Sequence, residues 1–170
     1  MGYSISIIEN TERLLDIMDG IDLEILKCLC ENSRINASVI GERVAMSVSA
    51  VIERIKKLDN SGVIRKYTLL LDPRLVGYDV LAYISVSLEH PKFNESFEHA
   101  VAGNRHIIEC HYITGDFDFL LKVMTESMDG LTGILNGIKS IRGVSLTRTL
   151  IVLSTSKSEY CPLPESAFSS

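Results

Sequence analysis

The chain has 170 residues, 46% of them hydrophobic and 23% charged, with a formal net charge of -5. This is a globular composition with room for one average domain or two small ones, and no apolar run approaches the roughly 20 residues of a membrane-spanning helix. The opening MGYSISIIENTERLL has no basic leader ahead of an apolar core, so no secretory signal is expected and the chain reads as cytoplasmic.

The cysteines and histidines point away from metal chemistry. Cys28 and Cys30 are two apart on an expected helix and face different ways, Cys110 and Cys161 are distant, and there is no CxxC. His90, His99, His106 and His111 lack HExxH or similar spacing. Reduced thiols acting as small apolar side chains are expected, with no metal and no cofactor.

Charge is unevenly spread. Residues 1–32 carry net -5, residues 33–66 net +4 and residues 67–170 net -4. Confinement of positive charge to one short block is the pattern of a local phosphate-facing surface, although a solvated basic helix face would look the same.

In chain order, Ile21, Ile25, Leu26 and Leu29 of IDLEILKCLCEN recur at helical spacing. A second helix starts near Asn36, a good N-cap residue, and turns Val39, Ile40 and Val44 inward. Ser47 or Ser49 caps a third. At 100° per residue Val48, Val51, Ile55 and Leu58 share its inner side. Ser49, Ala50, Glu53, Lys56 and Lys57 lie outward, with Arg54 at the flank, and Asn60-Ser61-Gly62 stops the helix. Three short helices with a tight turn before the last describe a helix-turn-helix. Small residues followed by bases suit a helix seated in a major groove. The expected DNA contacts are therefore Arg34, Ser47, Ser49, Ala50, Arg54, Lys56, Lys57 and Lys66. Glu53 lies one turn before Lys57 and is read as its intrahelical partner.

VIRKYTLLL is strand-like, and Asp72-Pro73 ends it. YDVLAYISVSLEH is a strand rich in β-branched and aromatic residues. FNESFEHAVAGN is a helix with Phe93, Phe97, Ala100 and Val101 on one stripe. HIIECHYIT and FDFLLKVMT are strands around a tight turn at Gly115-Asp116. SMDGLTGILNGIKSI is a helix burying Met128, Leu131, Leu135 and Ile138, and VSLTRTLIVLSTS is the last strand. The order βαββαβ implies a ferredoxin-like sandwich, which makes the chain α+β: a winged-helix-like helix-turn-helix domain followed by that sandwich.

Three blocks in this order, Ile21 to Pro73, ECHYITGDFDFLLKV and IRGVSLTRTLIVL, resemble the Lrp/AsnC (leucine-responsive/asparagine-responsive, feast/famine) regulators over Met18 to Ser156. Ser47-Val48 departs from the Ser-Pro frequent in that family. The resemblance implies a transcription regulator bound to double-stranded DNA at a palindromic operator, a homodimer assembling into octamers, and a small effector, usually an amino acid. It further implies that Gly115, Asp116, Asp118, Met128, Leu150 and Val152 lie in or near the effector site. The division expected is an N-terminal extension over 1–17, a DNA-binding domain over 18–62, and a linking strand and hinge over 63–77. An effector-binding and oligomerisation domain over 78–157 and a tail over 158–170 complete it. Two alternatives share these domains: an enzyme like the siroheme decarboxylases that resemble the family, and an assembly module that binds no DNA.

Overall fold

The computed structural model describes residues 18–158; the extension over 1–17, Cys161 and all but the first residue of the tail lie outside the described residues. The chain divides into two compact units at Leu69/Leu70.

Among the described residues the first unit holds three helices: α1 (Gly20–Glu31), α2 (Ala37–Arg43) and α3 (Val48–Asn60). Asp19 caps α1: its Oδ1 accepts the Asp22 N–H at 2.9 Å, and Asp22 Oδ2 accepts the Asp19 N–H at 3.2 Å. This is a reciprocal capping box made of two aspartates. Ser47 caps α3, its Oγ accepting the Ala50 N–H at 3.3 Å. Asn36 stands at the N-cap position of α2 without a side-chain capping bond. The turn between α2 and α3 folds back so closely that a Cβ on Gly41 would lie 2.7 Å from the Met46 carbonyl oxygen. Only glycine fits there.

Ile25, Leu26, Cys28, Ile40, Val51 and Leu58 form the core, with Leu29, Val44 and Ile55 packed against it. Ile21, Val39 and Val48, expected inside, are exposed. Each lies at the rim of its helix's apolar stripe, and three short helices have too little mutual surface to cover the whole stripe.

Arg54 joins α3 to α1. Its Nη1 donates to Asp22 Oδ1 at 2.7 Å and to Asp19 Oδ1 and Oδ2 at 2.9 and 2.8 Å. Asp22 is only 1% exposed. A carboxylate so far from water persists only with charge-assisted hydrogen bonds, which Arg54 and the cap supply. The bond from the Asp22 N–H, reinforced by Arg54, holds the Asp19 carboxyl below its ordinary range, and the two carboxylates raise the guanidinium's pKa.

No strand forms over 63–71 within the chain. Val63 and Ile64 pack on the helical core, whereas Leu69, Leu70 and Leu71 are exposed. A strand needs a neighbour to pair with, and among the described residues none pairs with this stretch.

The second unit contains β1 (Val80–Leu88), α4 (Asn94–Ala102), β2 (Ile107–Tyr112), β3 (Phe119–Thr125), α5 (Met128–Lys139) and β4 (Val144–Ile151). The strands form one antiparallel sheet ordered β2-β3-β1-β4. Alternation sets its faces. Ala82, Ile84 and Val86 of β1 and Phe119, Leu121 and Val123 of β3 pack with Phe97, Val101, Leu131, Ile134 and Ile138 of the helices. The Phe97 and Phe119 ring centroids are 4.8 Å apart. Ala100 and Met128 are exposed, whereas Ile134 of α5 is buried with Leu131 and Ile138. Met128 is the first residue of α5, where the helix has only begun to run along the sheet. The β2–β3 connection is longer than a tight two-residue turn: residues 113–118 intervene, closed by the Ile113 N–H donating to the Asp118 carbonyl at 2.8 Å. Gly115 within it has φ 119, a conformation that favours glycine.

The Arg54 pair gives a stability prediction. Arg54→Met strands Asp22 without its cation and is expected to destabilise the first unit by about 2–3 kcal/mol. Arg54→Met combined with Asp22→Asn should recover part of that loss, read from urea unfolding followed by circular dichroism. The depressed Asp19 pKa contributes stability above the unfolded carboxyl value, about pH 4. That contribution is lost as pH falls through the lowered value.

Candidate nucleic-acid interface and effector site

The first candidate site is the outward side of α3 with its flanks. Val51 and Leu58 anchor the helix in the core, so Ser49, Glu53, Lys56 and Lys57 turn to solvent. Ser47 and Ser49 sit exposed at its start with their Oγ atoms 3.1 Å apart, and Ser47 is the N-cap. Ala50 is half-buried. Arg34 is exposed in the turn after α1, its backbone N–H donating to Asn32 Oδ1 at 3.0 Å. Lys66 is exposed beyond α3, next to Arg65, an exposed cation absent from the sequence-derived set although it lies in the same basic block.

Arg54 is a basic residue of this stretch that pairs with α1. Its guanidinium faces α1 and is held by Asp19 and Asp22 at 2.7 to 2.9 Å. These bonds tie α3 to the start of α1. The helical wheel placed it at the flank correctly, but its partners lie 35 and 32 residues away. Arg43 is likewise paired, with Glu31 at 3.0 Å. Arg34, Lys56, Lys57, Arg65 and Lys66 are exposed along the same stretch.

The second candidate site concerns the sheet. Asp118 Oδ2 accepts the Leu88 N–H at 2.7 Å, and the Asp118 N–H donates to the Val86 carbonyl at 3.0 Å. These two bonds tether the β2–β3 connection to the end of β1 through Asp118. Asp116 and Gly115 remain exposed. Leu150 lies opposite Tyr83, and the Val152 N–H donates to the Leu81 carbonyl at 2.9 Å. Met128 opens α5 just beyond Thr125, which pairs with Val80. At ~3.3 Å per residue along β1, Leu150 and Val152 stand roughly 16–23 Å from Asp118. One chain therefore does not bring the six residues together: Gly115, Asp116 and Asp118 are at one end of the sheet, and Met128, Leu150 and Val152 at the other.

The sheet face opposite the helices carries Leu120 and Lys122 of β3, Tyr83 of β1, and Leu146 and Leu150 of β4, by register. Leu146 and Leu150 are exposed. On β2, Glu109 bridges Lys122 at 2.8 Å and lies 3.2 Å from His111 Nε2. The hydrogen bond from Lys122 draws the Glu109 pKa below its ordinary value. Cys110, on the helix side of β2, is exposed, and partial desolvation by its neighbours pushes its thiol pKa up. No helix among the described residues is long and apolar enough to cross a membrane.

Comparison with known proteins accounts for both units. Residues 18–65 match a winged helix-turn-helix DNA-binding family, and residues 81–161 match the Lrp/AsnC ligand binding domain. The chain is 37% identical over 140 residues to the HTH-type transcriptional regulator FL11 of Pyrococcus horikoshii, covering 82% of this chain and 92% of that one. It is 34% identical over 139 residues to the leucine-responsive regulatory protein of Escherichia coli, covering 80% and 85%. Among solved structures, a transcriptional regulator of Neisseria meningitidis in complex with L-Met superposes with TM-score 0.82 at 31% identity, covering 89% of this chain and 99% of that one. Escherichia coli AsnC gives 0.80 at 28%, covering 85% and 97%. With a helix-turn-helix followed by a βαββαβ sandwich, and with relatives spanning both, the chain belongs to the Lrp/AsnC family of transcriptional regulators.

Proposed function

We propose that this chain is a cytoplasmic, sequence-specific DNA-binding regulator whose assembly or DNA affinity responds to an amino acid. The observation that carries this is α3. Its inner side is closed by Val51 and Leu58, and its outer side presents Ser49, Lys56 and Lys57 within the one positively charged stretch of the sequence. Lysine and arginine around a groove-sized helix neutralise phosphate and release counterions, which drives association with a duplex.

The second unit is read as the assembly and effector domain. Exposed Leu146 and Leu150 on the face opposite the helices give a second copy an apolar surface to cover. A two-fold dimer through that face would set two copies of α3 for a palindromic operator, and dimers would assemble further, into octamers. Because the two sets of effector residues lie at opposite ends of the sheet, a site using both must draw them from different chains. Gly115 and Asp116 of one copy would meet Met128, Leu150 and Val152 of another. Asp116 would face the ligand's ammonium group. Such a ligand acts only through its different affinity for the assembled and unassembled states. The reading assigns binding rather than catalysis to both units, in keeping with relatives named as transcriptional regulators.

Three measurements test this. Lys56→Gln, Lys57→Gln and Lys66→Gln should each weaken binding to a duplex and flatten the dependence of log K on log salt by about one; salt-insensitive binding by the parent chain would count against the interface. A panel of the twenty amino acids should raise the melting temperature for one or a few of them, and a flat panel with unchanged oligomer size removes the effector half of the reading. Leu150→Asp should shift the sizing profile toward smaller species; an unchanged profile places the assembly surface elsewhere.

A further inference from the structure

Two apolar residues of α3 are left outside its core: Val48 is 46% exposed and Ile52 40%. They lie one turn apart, and Lys56 follows one turn later, so the three form a stripe ending in a cation. The stripe begins in the N-terminal half of the helix, the part of a recognition helix that approaches base edges.

The other side chains of that half are committed or unsuited to reading guanine. Ser47 Oγ caps the helix and lies 3.1 Å from Ser49 Oγ. Val51 is core, Ala50 is half-buried, and Arg54 is held by Asp19 and Asp22. Glu53 is an anion, and the first exposed cation after the N-cap is Lys56. The two-pronged arginine grip on guanine is therefore out of reach of the first two turns. What they offer a groove is aliphatic methyl groups, a serine hydroxyl and one carboxylate. In the major groove, only thymine displays a methyl group of its own.

The geometry points to Val48 and Ile52 as specificity-determining residues that pack against thymine 5-methyl groups in the major groove. The inference rests on α3 being the DNA-contacting helix and adds which base its first turns prefer. Charge supports a duplex as the occupant of this stripe: Lys56 continues it, and the surrounding residues 33–66 carry net +4.

The test uses the full chain and duplexes enriched from a random pool. Each thymine of an enriched site is replaced in turn by deoxyuridine, which removes only the methyl group. At one or two positions per half-site the parent chain should bind about three- to five-fold more weakly, the worth of one buried methyl. Ile52→Ala and Val48→Ala should narrow that difference, each at its own position, with the salt slope unchanged because an aliphatic contact releases no counterions. Ile52→Gln, a residue compatible with helix, serves as a second variant, and equal melting temperatures check that folded proteins are compared. Indifference of the parent chain to deoxyuridine at every position overturns the inference, as does a full deoxyuridine penalty retained by all three variants. Failure of the parent chain to enrich any sequence instead overturns the DNA reading itself, so the two failures are distinct.

Discussion

The guanidinium of Arg54 between Asp19 and Asp22 is the contact on which the geometry of the first unit depends. Asp22 is a buried anion, and an anion in that position destabilises the fold unless a cation and backbone donors meet it. Arg54 and the capping box do so together. The same two carboxylates start α1 and hold the middle of α3, so the beginning of one helix and the lie of another are coupled through a few atoms. The groove-facing side of α3 then follows from elimination: what the core and this contact do not use turns outward.

In the second unit the corresponding constraint is strand register. Alternation places every second residue of β1 and β3 against the helices, and a slip by one residue would exchange the core with the opposite face. Asp118 works with this constraint, its carboxylate accepting the Leu88 N–H where β1 ends. A Gly-Asp-Phe-Asp sequence thus divides its labour. The first aspartate stays exposed, and the second holds the connection in place.

The consequence for function is that neither proposed activity belongs to a pocket within one chain. The proposed DNA contact uses an outward helix side, and the proposed effector contact uses residues at opposite ends of one sheet. Control by assembly suits such a layout, because a ligand that fits only between copies senses and stabilises the assembled state at once.

Much of the architecture was legible from local pattern. The helices of the first unit, the Ser47 cap, the stop after Asn60 and the βαββαβ order follow from apolar periodicity, capping residues and glycine placement, which act over a few residues. What local pattern does not reveal lies where a distant partner decides. Val48 has the right spacing for a core position, yet it stays exposed because none of the described helices covers it. The stretch from Val63 to Leu71 has strand composition but, among the described residues, no strand beside it. Asp118 reads as a turn residue until the end of β1 arrives to use it. Arg54 counts as one more cation in a basic block until the fold brings Asp22 within 2.7 Å. Spacing along the chain specifies which elements form and which side of each is apolar, because those preferences are short-ranged. Which cations of the basic block are paired within the fold depends on partners 12 to 35 residues away, and only packing of the helices brings them into contact.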